Sequence, residues 1–109
     1  MRRSEDFRAT VRRGVKTARP TLVTHVLLPA GPNPGGRAAS VGFVVSRAVG
    51  SAVDRNRAKR RLRHLMRVRL SHLPSGSHVV VRALPAARTA SFATLGADLD
   101  ESLRRAGAR

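Results

Sequence analysis

Apolar and polar positions divide this chain into six elements. Ser4 followed by Glu5, Asp6 and Phe7 reads as a helix start with acids in its first turn, and Gly14 supplies a stop after Arg13. The short first helix carries Phe7 and Val11 on one side. After Pro20, the run Thr21-Leu22-Val23-Thr24-His25-Val26-Leu27-Leu28 is rich in β-branched residues and has the length of a strand. A Pro/Gly loop from Pro29 to Gly36 leads to Ser40-Val41-Gly42-Phe43-Val44-Val45-Ser46, a second strand, and the two are expected to pair as a hairpin. Ser51-Ala52-Val53-Asp54 fits a capping box with Asp in place of Glu, opening a helix that reaches about Leu70. Pro74, Ser75 and Gly76 end that region. His78 to Ala83 is a third strand, and a last helix from about Ala90 to Arg105 places Phe92, Leu95, Leu99 and Leu103 at helical spacing. The order is helix, strand, strand, helix, strand, helix. Such a chain folds as a single α+β domain over residues 1–109, a small mixed sheet covered by helices.

The second helix changes this picture. From Arg55 to Arg69, eight of fifteen residues are basic and none is acidic. At about 100° per residue, Ala58, Leu62, Leu65 and Met66 share an arc of roughly a quarter turn, suited to burial. Arg55, Lys59 and Arg63 line one edge of the remainder, and Asn56, Arg60 and Arg67 form the next row. Like charges at i, i+4 destabilise a lone helix by a few tenths of a kcal/mol per pair, so this face makes sense beside phosphates. Asn56 is the telling residue: a helix interior disfavours it, and an uncharged amide among cations suits a hydrogen bond to a nucleotide or to the water shell of a bound metal.

Composition agrees. Lys and Arg number 22 against 6 Asp and Glu, a formal net charge of +16, and a chain this basic expects a polyanion. Twenty of the cations are Arg, which suits bidentate phosphate contacts and equally fits a GC-rich genome. Trp and Tyr are absent and only Phe7, Phe43 and Phe92 are aromatic, which argues against folds that stack several bases on a sheet. With no Cys there is no disulfide framework or thiolate metal site. No apolar run approaches a membrane span and the N-terminus lacks the apolar stretch of a signal peptide, so a cytoplasmic protein with no membrane partner is expected.

Chemistry carried by the chain itself finds no support. His25, His64, His72 and His78 lack HExxH spacing, and no metal site is indicated. Gly31 to Gly36 has the glycines of a phosphate loop but Arg37 and Ala38 where Lys and Ser/Thr are needed. Asp98, Asp100 and Glu101 on the last helix read as a solvated face, and no catalytic residue is assigned.

Arg47-Ala48-Val49-Gly50-Ser51-Ala52-Val53-Asp54-Arg55-Asn56-Arg57-Ala58-Lys59-Arg60-Arg61-Leu62-Arg63 resembles the motif of the bacterial ribonuclease P protein component family, basic-x-x-Gly-Asn-Ala-Val-x-Arg-Asn-Arg-x-Lys-Arg-x-x-Arg. The likeness extends over nearly the whole chain, from Ser4-Glu5-Asp6-Phe7 and Gly14 to the Val79-Val80-Val81-Arg82 strand and the last helix. It implies an α/β sandwich with a small mixed sheet of about four strands and a left-handed βαβ crossover. It also implies a non-catalytic subunit, a monomer in a 1:1 complex with a catalytic RNA that removes the 5′ leader of precursor tRNA. The RNA is expected to carry the active site and its Mg²⁺, so no cofactor belongs to the protein. By position, the resemblance assigns RNA contact to Arg55, Asn56, Arg57, Lys59, Arg60 and Arg63, and to Arg47 ahead of the helix; Arg67 shares their row. It places Phe7 and Arg82 in a leader cleft between sheet and first helix, where Val11, Thr21 and Thr24 stand at positions often aromatic in the family. Base stacking in that cleft is therefore expected to be weak. Read from residues alone, Phe7 suits the core better than a stacking role, and Arg82 suits solvent as well as the leader. Ser51 replaces the family's usual Asn, a conservative change for a cap. A ribosomal or DNA-compacting protein would share charge and size.

Overall fold

The computed structural model describes residues 4–31 and 38–107; the loop expected from Pro29 to Gly36 lies outside them from Pro32 onward. Helix α1 spans Ser4–Arg13, strand β1 Val15–Ala18, β2 Leu22–Leu27, β3 Ser40–Val44, helix α2 Ala52–Leu70, β4 His78–Ala83 and helix α3 Phe92–Arg105. Short 3₁₀ turns at Arg47–Val49 and Pro85–Arg88 precede α2 and α3. The sheet is four-stranded and mixed, in the order β1-β2-β4-β3.

Two expectations are corrected. β1 forms from Val15–Ala18, which carry no strand signal in the sequence, and the expected hairpin between Thr21–Leu28 and Ser40–Ser46 does not form. β4 lies between them, antiparallel to β2 and parallel to β3. The reason is the apolar run Val79-Val80-Val81, at most 1% exposed on either face, which marks a central strand with neighbours on both sides. A parallel β3–β4 pair needs a long connection, which α2 supplies.

Register assigns the faces. Leu22, Thr24 and Val26 stand opposite Ala83, Val81 and Val79, and this face joins the core built from Ala58, Leu62, Leu65 and Met66 of α2 and Leu95, Leu99 and Leu103 of α3. Val23, His25, Val80 and Arg82 point the other way, as do Gly42 and Val44 of β3; α1 packs on β2 and β4 from this side. Gly42 pairs in register with Val80, so no bulge falls there. Gly14, after α1, is hemmed in by backbone: a Cβ there would meet Thr10 O at 2.5 Å and the Val26 carbonyl at 3.0 Å.

The acids of α3 do not form the solvated face expected of them. Asp98 is buried, accepting from Thr21 N at 3.2 Å, Thr21 Oγ1 at 2.6 Å and Arg19 Nε at 3.3 Å, and so pins α3 to the β1–β2 turn. Asp100 receives Arg69, and Glu101 receives Arg104 and Arg105. Phe92 keeps the helical spacing but is 43% exposed and stands outside the core that Leu95, Leu99 and Leu103 fill.

Candidate nucleic-acid interface

α2 begins at a rigid cap. Ser51 Oγ accepts from Asp54 N at 3.2 Å, while Asp54 Oδ2 accepts from Ser51 N and Ser51 Oγ at 3.0 Å each, completing the capping box expected from sequence. The Ser51 backbone N–H, then its hydroxyl, with Arg88 and Arg57 nearby, hold the Asp54 carboxyl below the usual carboxylate range. Gly50, just before the cap, has φ +148°, and a Cβ there would lie 2.5 Å from Asp54 Oδ2. The motif's glycine is thus required by backbone conformation and by the cap together.

Beyond the cap, the cations of α2 divide into two groups. Arg61 donates to the Ala90 carbonyl at 3.0 Å, and Arg69 donates to Asp100 Oδ1 at 2.8 Å, Asp100 Oδ2 at 3.1 Å and the Leu65 carbonyl at 2.9 Å. These two arginines fasten α2 to α3 and the segment before it. Asn56, Lys59, Arg60, Arg63 and Arg67 are exposed and share an arc of about 100°. Among the described residues none of the five makes an ion pair or a side-chain hydrogen bond with the rest of the chain. Arg57 is exposed on their flank, and Arg55, half-buried, donates to the Ser51 carbonyl at 3.4 Å. A shallow pocket lined by Val45, Ala52, Arg55, Asn56 and Lys59 joins the end of β3 to the start of α2. Arg47 is exposed on the 3₁₀ turn before the cap.

The residues expected in a cleft do not all meet. Phe7 and Val11 are half-buried on α1, and Arg82 is exposed on the sheet face that α1 covers. Thr24 does not join them: it is 0% exposed and points to the opposite face, into the core. Thr21 is likewise buried, held by Asp98. The β2 residues on the cleft side are Val23 and His25; His25 is 7% exposed, with a buried Nδ1 that has no partner among the described residues. Burial first, then the neighbouring charges of Lys16 and Arg82, push its pKa down, so it adds no charge at neutral pH. Stepping by two from Val23 would have singled it out. Among the described residues no group of His, Cys, Asp and Glu could hold a metal, and no helix is long and apolar enough to cross a membrane.

Fold and site together define a class: a small α+β protein that turns one acid-free cationic helix face outward, against which a polyanion can lie. The ribonuclease P family model matches residues 1–107, and the chain belongs to that family. It is 53% identical over 109 residues to the ribonuclease P protein component of Streptomyces avermitilis, covering 96% of this chain and 89% of that protein. Against the Nocardioides protein of the same description it is 52% identical, covering 99% and 91%. The fold is similar to the RNase P proteins of Staphylococcus aureus (TM-score 0.80, 24% identity, 99% of this chain and 94% of that one) and Thermotoga maritima (TM-score 0.76, 24% identity, 96% and 94%). The chain is thus a protein subunit of a ribonucleoprotein endoribonuclease acting in tRNA 5′ processing; it is not itself catalytic, and its partner is ribonuclease P RNA. The ribosomal and DNA-compacting readings are not favoured.

Proposed function

We propose that the outward face of α2 docks on phosphates of ribonuclease P RNA, with the cleft between α1 and the sheet holding the 5′ leader of precursor tRNA, in a cytoplasmic 1:1 complex. The observation that carries this is the set Asn56, Lys59, Arg60, Arg63 and Arg67: exposed, with no acid interspersed, and unpaired among the described residues. Arg47, Arg55 and Arg57 extend it around the cap. Phe7, Val11 and Arg82 offer the leader a half-apolar wall and a cation, while His25 takes the place on β2 that Thr24 does not. Metal chemistry, an activated water and a stabilised leaving oxygen, would be supplied by Mg²⁺ bound to the RNA, and the arginines of this chain would not replace it. The protein's share is to replace part of the diffuse cation atmosphere as leader and RNA come together.

The test is a Mg²⁺ titration of precursor-tRNA cleavage with protein alone, RNA alone and both. Protein alone is expected to cleave nothing, and adding it to the RNA to lower the Mg²⁺ required. Arg60→Ala and Arg63→Ala should weaken this effect at limiting protein, whereas Arg104→Ala and Arg105→Ala, whose side chains bond Glu101, should not. Equal losses in both pairs would mean that total charge, and no defined face, does the work.

A further inference from the structure

Phe92 is the first residue of α3, held there by Ser91, whose Oγ accepts from Thr94 N at 3.0 Å. Its ring leans on His64 of α2, with centroids 5.7 Å apart and planes inclined by 57°. His64 is exposed, and Val68, one turn further along α2, is 61% exposed. One of only three aromatic residues in the chain thus stays at the surface while aliphatic side chains fill the core. This apolar spot borders the cationic face, because Arg60 and Arg67 lie one turn either side of His64. The acids of α3 do not neutralise that border: Asp100 is engaged by Arg69, and Glu101 by Arg104 and Arg105.

An exposed ring beside unpaired guanidinium groups matches the two halves of a nucleotide, an aromatic plane and an anion. A protein partner would match the ring alone, and a phosphate the cations alone. We propose that Phe92, supported by His64, is a stacking platform for an unpaired base of the RNA docked on α2, with Arg60 and Arg67 taking the adjoining phosphates. The platform lies on the α2–α3 side of the sheet, away from the cleft under α1, so it is a second nucleotide contact separate from the leader site. Every base has a π-face, so the contact favours unpaired nucleotides over paired ones without selecting sequence. The inference rests on the docking of RNA along α2 proposed above.

The chain contains no Trp, so Phe92→Trp places a single fluorophore at the platform. Its emission should be quenched when ribonuclease P RNA, transcribed in vitro, is added to the full-length protein. In equilibrium binding to the same RNA, Phe92→Ala should weaken affinity about 5- to 50-fold with an unchanged salt slope, since no ionic contact is lost. Phe92→Tyr and Phe92→Trp should keep affinity, and Phe92→Leu, apolar but without a π-face, should resemble Ala. Circular dichroism melts of each variant separate loss of fold from loss of contact. Arg60→Ala, measured alongside, reports on the α2 docking itself. If Arg60→Ala weakens binding and Phe92→Ala does not, the platform is overturned and the docking stands; if neither weakens it, the docking fails and takes the platform with it. Full rescue by Leu would reduce the contact to apolar packing and overturn stacking. Self-association of RNA-free protein, abolished by Phe92→Ala at unchanged RNA affinity, would assign the patch to a second copy and overturn the proposal.

Discussion

His25 shows how a single residue is set by its position in the sheet. It stands beside Lys16 on β1 and near Arg82 on β4, under α1, and both the burial and the cations disfavour its protonated form. The unfolded chain therefore takes up the proton more readily than the folded one below the ordinary value of 6.5, and stability falls as pH is lowered through that value toward the depressed folded pKa. Above it the contribution is level. His25→Gln should remove this part of the pH dependence, seen by comparing urea unfolding of variant and parent at pH values either side of 6.5; equal slopes in the two proteins would contradict it. The same position shows where residue-level reading from sequence fails. In a run such as Leu22-Val23-Thr24-His25-Val26, only the partners of a strand decide which alternate residues face the core, and it is the register with β4 that turns Thr24 inward and His25 toward α1.

At the scale of elements, α2 joins two tasks that composition cannot separate. Arg61 and Arg69 look like their neighbours in sequence but hold α3; Arg60 and Arg63 hold nothing within the described chain. Arg61→Ala or Arg69→Ala should cost about 1–3 kcal/mol in denaturant unfolding, because bonded carbonyls and a carboxylate lose their donors. Arg60→Ala or Arg63→Ala should leave stability within about 0.5 kcal/mol and reduce the salt slope of RNA binding by about 1 each. Helices were legible because their signals are local: Ser51 with Asp54, the spacing of Leu62, Leu65 and Met66, and Gly14 after Arg13. β4 was legible from its apolar run. β1, four residues with a buried Thr17 between exposed neighbours, carries almost no pattern, and the pairing of β2 and β3 with β4 depends on contacts far apart in sequence. Phe92 kept the helical spacing of the leucines, yet it sits at the tip of α3 beyond the reach of the core.

For the whole molecule, the net charge of +16 acts in opposite directions on folding and on binding. The compact state brings like charges together, so screening helps it; the complex releases counterions, so salt opposes it. Between about 0.05 and 0.3 M NaCl the thermal midpoint of the free protein should rise while affinity for ribonuclease P RNA falls, with a slope of magnitude about 3 if roughly four phosphates are contacted. Affinity indifferent to salt, measured in the same buffers as the melts, would contradict a phosphate-dominated interface.

The central place of β4 has a consequence for how the chain is born. β2 and β3 both dock on a strand that begins only at His78, so everything synthesised before it holds strands with an open edge and the whole sequence of the polycationic helix. The cap and spacing of α2 are local, but its like charges oppose it as a lone helix, and the sheet cannot close until the last third of the message has been read. Through that interval the cations of α2 are present before the scaffold that orients them; only when β4 arrives is the face of that helix fixed to a closed sheet.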